Sequence, residues 1–236
     1  MLISYPHRFI FFHVAKVAGL SIKEAIKEYA QEPEKFKIRR PPKKLANNEH
    51  NPLYARWESM MTHVKAREAQ KELPPEVYND FYKFAFVRNP WDWQVSMYHF
   101  LLKERENPKY ELVKSMSGFE EYLEWVIHTD HPYPMGATKL QMDMIADAQG
   151  NILIDFVGRY ETLAANFQTV CQAVKMNASL PHLNRSSHRD YHSYYNERTK
   201  QLVAEHFQAD IEALGYHFDG YHSPLGAIRH SVVPPR

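Results

Sequence analysis

The sequence predicts an α/β fold: a three-layer sandwich with a central, mainly parallel sheet flanked by helices. Three observations carry this. Three short apolar runs, Arg8–Val14, Tyr82–Val87 and Ile152–Val157, read as strands buried on both faces, as parallel sheets require. Segments of helical period separate them, which is the alternation of an α/β chain. A hydrophobic content of 44% in 236 residues is enough for one sizeable core. No internal repeat or linker interrupts the pattern, so residues 1–236 are expected to form a single domain.

Taken in order, "RFIFFHV" is the first strand, broken only by His13. Ser21 to Gln31 follows as a helix with Ile22, Ala25, Ile26 and Tyr29 on one stripe, ended by Pro33. Residues 34–58 read as an irregular, solvated connection: the run "EKFKIRRPPKKLANNEHNP" alone has six cations and three prolines without a period. A short helix is expected from Thr62 or His63 to Leu73, closed by Pro74 and Pro75. "YKFAFV" is the second strand. Asn89-Pro90-Trp91-Asp92 then opens a helix to about Leu102, with Asn as cap, Pro in the first turn and Asp at the positive end. Ser117 to Glu120 reads as a capping box before "EYLEWVI". Helices are expected over Ala137–Ala148, along Leu163–Val174, and from Asn196 to Leu214, where Gly215 stops the last. The tail from 222 to 236 reads as loosely held.

The bulk numbers exclude several classes. Basic and acidic residues nearly cancel, 29 against 28, so no nucleic-acid partner is expected. The one cysteine, Cys171, allows no internal disulfide and suits a reducing compartment. No apolar run approaches the roughly 20 residues of a membrane span, and no signal-peptide pattern opens the chain. The expectation is a cytoplasmic protein without a membrane partner.

Two strand ends carry cations. In "FIFFHVAKVAGLSI", Lys16 follows the first strand and Gly19 and Ser21 open the next helix. Parallel sheets bind ligands beyond the carboxyl ends of their strands. There the amides of Val17, Ala18, Gly19 and Leu20, the Ser21 hydroxyl and the Lys16 charge can surround a phosphate, in a P-loop-like arrangement. The order differs from G-x-x-x-x-G-K-[ST], because Lys16 precedes Gly19 and the first glycine is missing. A plain strand-to-helix turn is the alternative. In "FAFVRNPWDWQVSMY", Arg88 ends the second strand and Ser96 lies eight residues on, along the following helix. Helical side chains lean toward the N-terminus, so Ser96 can face the anion that Arg88 grips. The alternative is that Arg88 pairs with a nearby carboxylate and Ser96 caps a local carbonyl.

On these residues the chain resembles sulfotransferases that use 3′-phosphoadenosine 5′-phosphosulfate (PAPS), most closely their carbohydrate-type and bacterial members. "HVAKVAGLS" is similar to their 5′-phosphosulfate loop and "VRNPWDWQVSMY" to their 3′-phosphate element, R-[DN]-P-x-x-R-x-x-S-x-[YF]. "ILIDFVGRYETL" and "LPHLNRSSHRDYHSYY" extend the resemblance over about residues 8–218. Ala15, Val17 and Leu20 stand where Pro, Thr and Thr are frequent, and Trp93 where Arg is frequent. The resemblance implies PAPS as co-substrate, 3′-phosphoadenosine 5′-phosphate as product, no metal, and a hydroxyl-bearing acceptor such as a carbohydrate or small metabolite. It implies Lys16 at the departing phosphate oxygen, Arg88 and Ser96 on the 3′-phosphate, and Arg185 as a further contact from a late polar loop with Asn184 and Ser187.

An acceptor hydroxyl needs a base. His63, in "MMTHVKARE", lies near an expected helix N-terminus, whose partial positive charge disfavours imidazolium and leaves the neutral ring that a base requires. In the resembling glycan 2-O-sulfotransferases a histidine in a comparable place is the base; the alternative is a surface or capping histidine, one of 14. His13 is expected to pack or to support the site. Arg159 and Tyr160 are either nucleotide contacts or surface residues. The pairs His128/His131 and His188/His192 have metal-ligand spacing without a third partner. Trp91 and Trp93 are expected in the core, with stacking on a base or sugar as the alternative. Rival functions are a nucleotide kinase, against which the reversed lysine order counts, and a non-catalytic nucleotide-binding protein.

Overall fold

The computed structural model describes residues 1–31, 63–103, 105, 107–133, 137–181 and 189–222. The 34–58 segment, the Arg185 loop and the tail beyond 222 lie outside the described residues. The architecture is mixed α/β around a four-stranded sheet in the order β1-β2-β3-β4. These strands are β1 (Leu2–Ser4), β2 (Phe9–Phe12), β3 (Tyr82–Val87) and β4 (Phe156–Arg159). β2, β3 and β4 run parallel, with Phe11 opposite Phe84 and Phe84 opposite Phe156. β1 is antiparallel to β2. Phe9, Ile10, Phe11 and Phe12 are all 0% exposed, so both faces of β2 are covered. Burying each such phenylalanine contributes about 1.5–3 kcal/mol.

Because the three strands are parallel, their carboxyl ends share one edge. The chain leaves β2 into the Lys16 loop, β3 into Arg88 and β4 into Tyr160 at that edge. α1 (Gly19–Ile26) follows the first of these. α2 (Ala66–Glu72) and α3 (Pro75–Asp80) precede β3, and α4 (Pro90–Lys103) follows it. α5 (Tyr110–Lys114), α6 (Phe119–Ile127) and the single turn α7 (Met142–Ile145) lead to β4. After it come a 3₁₀ turn at Tyr160–Thr162, α8 (Leu163–Ala173), a second 3₁₀ turn at Tyr191–Tyr194, α9 (Glu197–His206) and α10 (Gln208–Leu214). The small hairpin β5 (Tyr216–His217) and β6 (Gly220–Tyr221) follows Gly215, whose φ of 63° supplies the left-handed helix stop expected there.

Several elements depart from the pattern read in the sequence. β1, at three residues, is too short to show a period in the sequence. α1 starts at Gly19, ahead of Ser21, and ends at Ile26; Gln31 instead bridges back to Ile3. The helix expected at Thr62 or His63 begins at Ala66. Pro75 opens α3 rather than closing a helix, because its missing N–H is harmless in the first turn. Ser117 and Glu120 do not form a capping box: Glu121 accepts both the Ser117 N–H (2.7 Å) and its hydroxyl (2.8 Å). The expected 137–148 helix shrinks to α7, and the expected 196–214 helix breaks at Phe207.

The third strand is displaced toward the C-terminus. Of the expected Ile152–Val157 only Phe156 and Val157 lie in β4, and Ile152 makes an isolated bridge to Ala146. Arg159, expected after the strand as a nucleotide contact or surface residue, is 2% exposed and belongs to the strand. Its guanidinium lies 4.3 Å from the ring centres of both Tyr216 and Tyr221, which meet edge to face, and donates to the Leu214 carbonyl at 2.6 Å. Those faces replace the water that a buried cation would otherwise lack.

Candidate active site

The Lys16 loop is bent in a way that side-chain-bearing residues rarely tolerate. Lys16 and Ala18 both have φ of 60°. A left-handed residue with a Cβ costs about 1–2 kcal/mol. Two donors from the neighbouring β3–α4 unit hold the loop there. The Trp93 indole N–H donates to the Ala15 carbonyl at 2.7 Å, and Arg88 Nη1 donates to the Lys16 carbonyl at 3.3 Å. At about 0.5–1.5 kcal/mol each, these bonds are of the size needed to offset the strain. The Ala18 carbonyl then accepts the Ile22 N–H at 3.0 Å and α1 is under way.

The unusual dihedrals thus fall beside Gly19, not on it. Gly19 is required for space: a Cβ there would sit 1.7 Å from His13 Nε2. Val17 is 0% exposed, side chain and backbone alike, whereas Leu20 is 60% exposed at the mouth of the loop. Ser21 is buried in the first turn of α1. The Lys16 ammonium lies 4.5 Å from the centre of the Phe100 ring, one turn after Ser96 on α4. Lys16 and Ser96 are thereby brought to the same stretch of that helix.

Arg88 is 3% exposed at the end of β3. Its Nε and Nη2 donate to the two carboxylate oxygens of Asp92 at 2.6 and 2.8 Å, and its guanidinium lies 4.2 Å from the Tyr160 ring centre. The carboxylate partner considered as an alternative is therefore present, one helical turn on. Arg88 keeps Nη1 toward the Lys16 loop. Gln141 fixes its backbone, donating to the Arg88 carbonyl at 2.8 Å and accepting its N–H at 2.9 Å. Asp210 holds Gln141 in turn, accepting the Gln141 and Met142 N–H groups at 2.8 and 2.9 Å. Burial raises the Asp210 pKa from 3.8 to about 7 against those two bonds. Asn89 caps α4 through Trp91 N–H at 3.0 Å, and its amide reaches the His217 carbonyl at 2.9 Å.

His63 is half-buried just before α2, with its ring 4.7 Å from that of His13. His63 Nδ1 is 2.7 Å from the His13 carbonyl. A carbonyl only accepts, so Nδ1 carries the proton and Nε2 keeps its lone pair. Burial lowers the His63 pKa from 6.5 to about 4, partly opposed by that bond. The neutral ring was expected from a helix N-terminus, but α2 starts three residues later and desolvation is the main cause. Burial also holds His13 well below its ordinary value, with His63 adding to the effect. His13 Nδ1 is enclosed without a hydrogen-bond partner among the described residues.

The structure therefore gathers Lys16, the 17–21 turn, His13, His63 and Arg88 around the ends of β2 and β3, with Ser96 buried on α4 one turn before the ring that Lys16 meets. Arg185 lies outside the described residues. Arg159 is enclosed behind the hairpin and Tyr160 lies under Arg88. Trp91 and Trp93 are 4% and 2% exposed, in the core as expected. Among the described residues no group of three or more His, Cys, Asp or Glu side chains is placed to hold a metal ion. His128 Nδ1 donates to the Glu124 carbonyl, and His192 pairs with Asp190 and Asp219. No described helix is long and apolar enough to cross a membrane. Asp92 could have been found from its i+4 spacing to Arg88. Gln141 and Asp210 have no local signal, because they meet across 69 residues.

Comparison with curated proteins and with solved structures found no match to this chain. A family comparison did: residues 1–217 match the Sulfotransferase family, which takes in the Lys16 loop, His63 and the Arg88–Ser96 element. The chain belongs to the Sulfotransferase family.

Proposed function

We propose that this chain, as a P-loop-like three-layer fold, moves a sulfuryl group from PAPS to a hydroxyl on a carbohydrate or other small metabolite. The observation that carries the reading is the meeting of Lys16 and Arg88. The two cations come from adjacent parallel strands, 72 residues apart, and Arg88 Nη1 donates to the Lys16 carbonyl. One doubly phosphorylated nucleotide can span such a pair, and a loop closed by a helix N-terminus suits its oxygens. The donor set is cationic and amide-rich, which fits an anion.

In this reading the Val17–Ser21 turn and Lys16 hold the 5′-phosphosulfate, and Arg88 and Ser96 the 3′-phosphate, with Arg185 as a further contact. The acceptor oxygen forms a bond to sulfur as the bond from sulfur to the phosphate oxygen breaks. His63 Nε2 takes the hydroxyl proton, and Lys16 meets the charge that grows on the leaving oxygen. A pKa near 4 makes the free imidazole a weak base; a bound polyanion raises it toward the working range. Arg88 must share its guanidinium between Asp92 and the phosphate, through Nη1.

Calorimetric titration with 3′-phosphoadenosine 5′-phosphate tests the reading, followed by a PAPS-driven acceptor screen. Magnesium-independent binding is expected, weakened at least about tenfold in Lys16→Ala, the loss of one charge-assisted contact. Tighter binding of ATP with magnesium would instead identify a nucleotide kinase. Nucleotide binding without transfer to any acceptor would leave a non-catalytic binding protein, the rival that the depressed basicity of His63 favours.

A further inference from the structure

We infer that Trp93 is a positioning residue for the Lys16 loop: its indole N–H sets the orientation of the Ala15–Lys16 peptide, and with it the direction of the Lys16 amide. The geometry is direct. Every described peptide bond is trans, so each carbonyl and the N–H of the same peptide unit point in opposite directions. Trp93 draws the Ala15 carbonyl toward α4 at 2.7 Å, which turns the Lys16 N–H away from α4. Arg88 draws the Lys16 carbonyl the same way at 3.3 Å, which turns the Val17 N–H away from the end of β3. In this arrangement Lys16 and Ala18 both stand at φ 60°.

The indole is itself buried. Trp93 is 2% exposed, sits in the first turn of α4, and meets the Tyr133 ring edge-on at 5.1 Å. It therefore links the loop rigidly to the helix that also carries Asp92 and Ser96. Its place is one where the resembling proteins often have arginine. The planar indole offers a single donor, spent on the loop backbone, and brings no charge toward a ligand. Trp93 shapes the loop through the Ala15 carbonyl.

The test uses a matched pair of substitutions on one helix. Trp93→Phe keeps an aromatic ring and removes the N–H. Trp91→Phe does the same to an indole whose partner is the Lys200 carbonyl at 3.1 Å, away from the loop. Hydrogen exchange of the intact protein, read on peptides covering residues 13–20, is expected to quicken about tenfold in Trp93→Phe, as for one lost hydrogen bond. It is expected to stay unchanged in Trp91→Phe at similar loss of melting temperature. Equal exchange in the two variants overturns the inference, because the effect would then be general loosening. Donor titration adds a second arm, which rests on the function proposed above. Affinity for 3′-phosphoadenosine 5′-phosphate should fall in Trp93→Phe and hold in Trp91→Phe, with KM for the acceptor unmoved. If the wild-type protein does not bind this nucleotide, the sulfotransfer reading fails, while the exchange comparison still decides the role of Trp93.

Discussion

Asp92 closes on Arg88 with two parallel hydrogen bonds, 2.6 and 2.8 Å, one helical turn past the end of β3. Both side chains are largely shielded, at 4% and 14% exposure, so neither charge could stand there alone. A ligand phosphate reaching Arg88 must compete with that carboxylate. Asp92→Asn should lower the melting temperature, at a cost of about 3–5 kcal/mol for a broken buried pair. It should also enlarge the upward shift produced by 3′-phosphoadenosine 5′-phosphate, because the anion then restores a partner. Thermal melts with and without the nucleotide check this; an unchanged ligand shift would show that Arg88 takes no part in binding.

Gly19 and His13 occupy the same space. Gly19→Ala forces a Cβ to within 1.7 Å of the His13 ring and should destabilise by about 1–3 kcal/mol. His13→Ala removes the obstruction, so the double variant should recover most of what Gly19→Ala loses. A double-mutant cycle in urea measures the coupling. Additive losses would mean that the loop yields elsewhere.

The acid side of the stability curve contains two opposing contributions. His63 binds its proton near 6.5 when unfolded and near 4 when folded. Between those values the unfolded state holds more protons, so stability is full above 6.5 and falls as pH drops toward 4. His13 acts in the same direction. Asp210 acts oppositely: burial lifts its pKa from 3.8 to about 7, so it favours the fold at low pH and loses that contribution as pH rises toward 7. His63→Asn should flatten the acid-side loss, and Asp210→Asn should steepen it. Urea midpoints at pH 4.5, 5.5, 6.5 and 7.5 read both slopes; the same slope in all three proteins would remove these groups as its source.

Gln141 serves the Arg88 backbone with both ends of its amide. Gln141→Ala leaves a buried N–H and a buried carbonyl unsatisfied, which costs about 1–3 kcal/mol each. Gln141→Glu keeps the acceptor but buries an ionisable carboxyl against the Arg88 carbonyl and beside Asp210, so it should be at least as costly as Ala. The expected order of melting temperature at pH 8 is wild type, then Ala, then Glu.

What the sequence determined alone was local: apolar runs for β2 and β3, a cation at each strand end, Asn89 and Pro90 opening α4, and Gly215 closing α10. Each follows from a few neighbouring residues and the period or dihedral they favour. Strand β4 ends at Arg159, two residues past the apolar run Ile152–Val157, because the Tyr216 and Tyr221 rings, each 4.3 Å from the guanidinium, accommodate a cation that no local pattern places in a strand. Tertiary structure decided the rest. It placed the Trp93 indole on the Ala15 carbonyl, His13 against Gly19, and Asp210 behind Gln141. These contacts join residues tens of positions apart, and no local propensity encodes them. It also decided that His63 is neutral through burial and not through a helix terminus, since desolvation depends on what packs around a ring once the chain has folded.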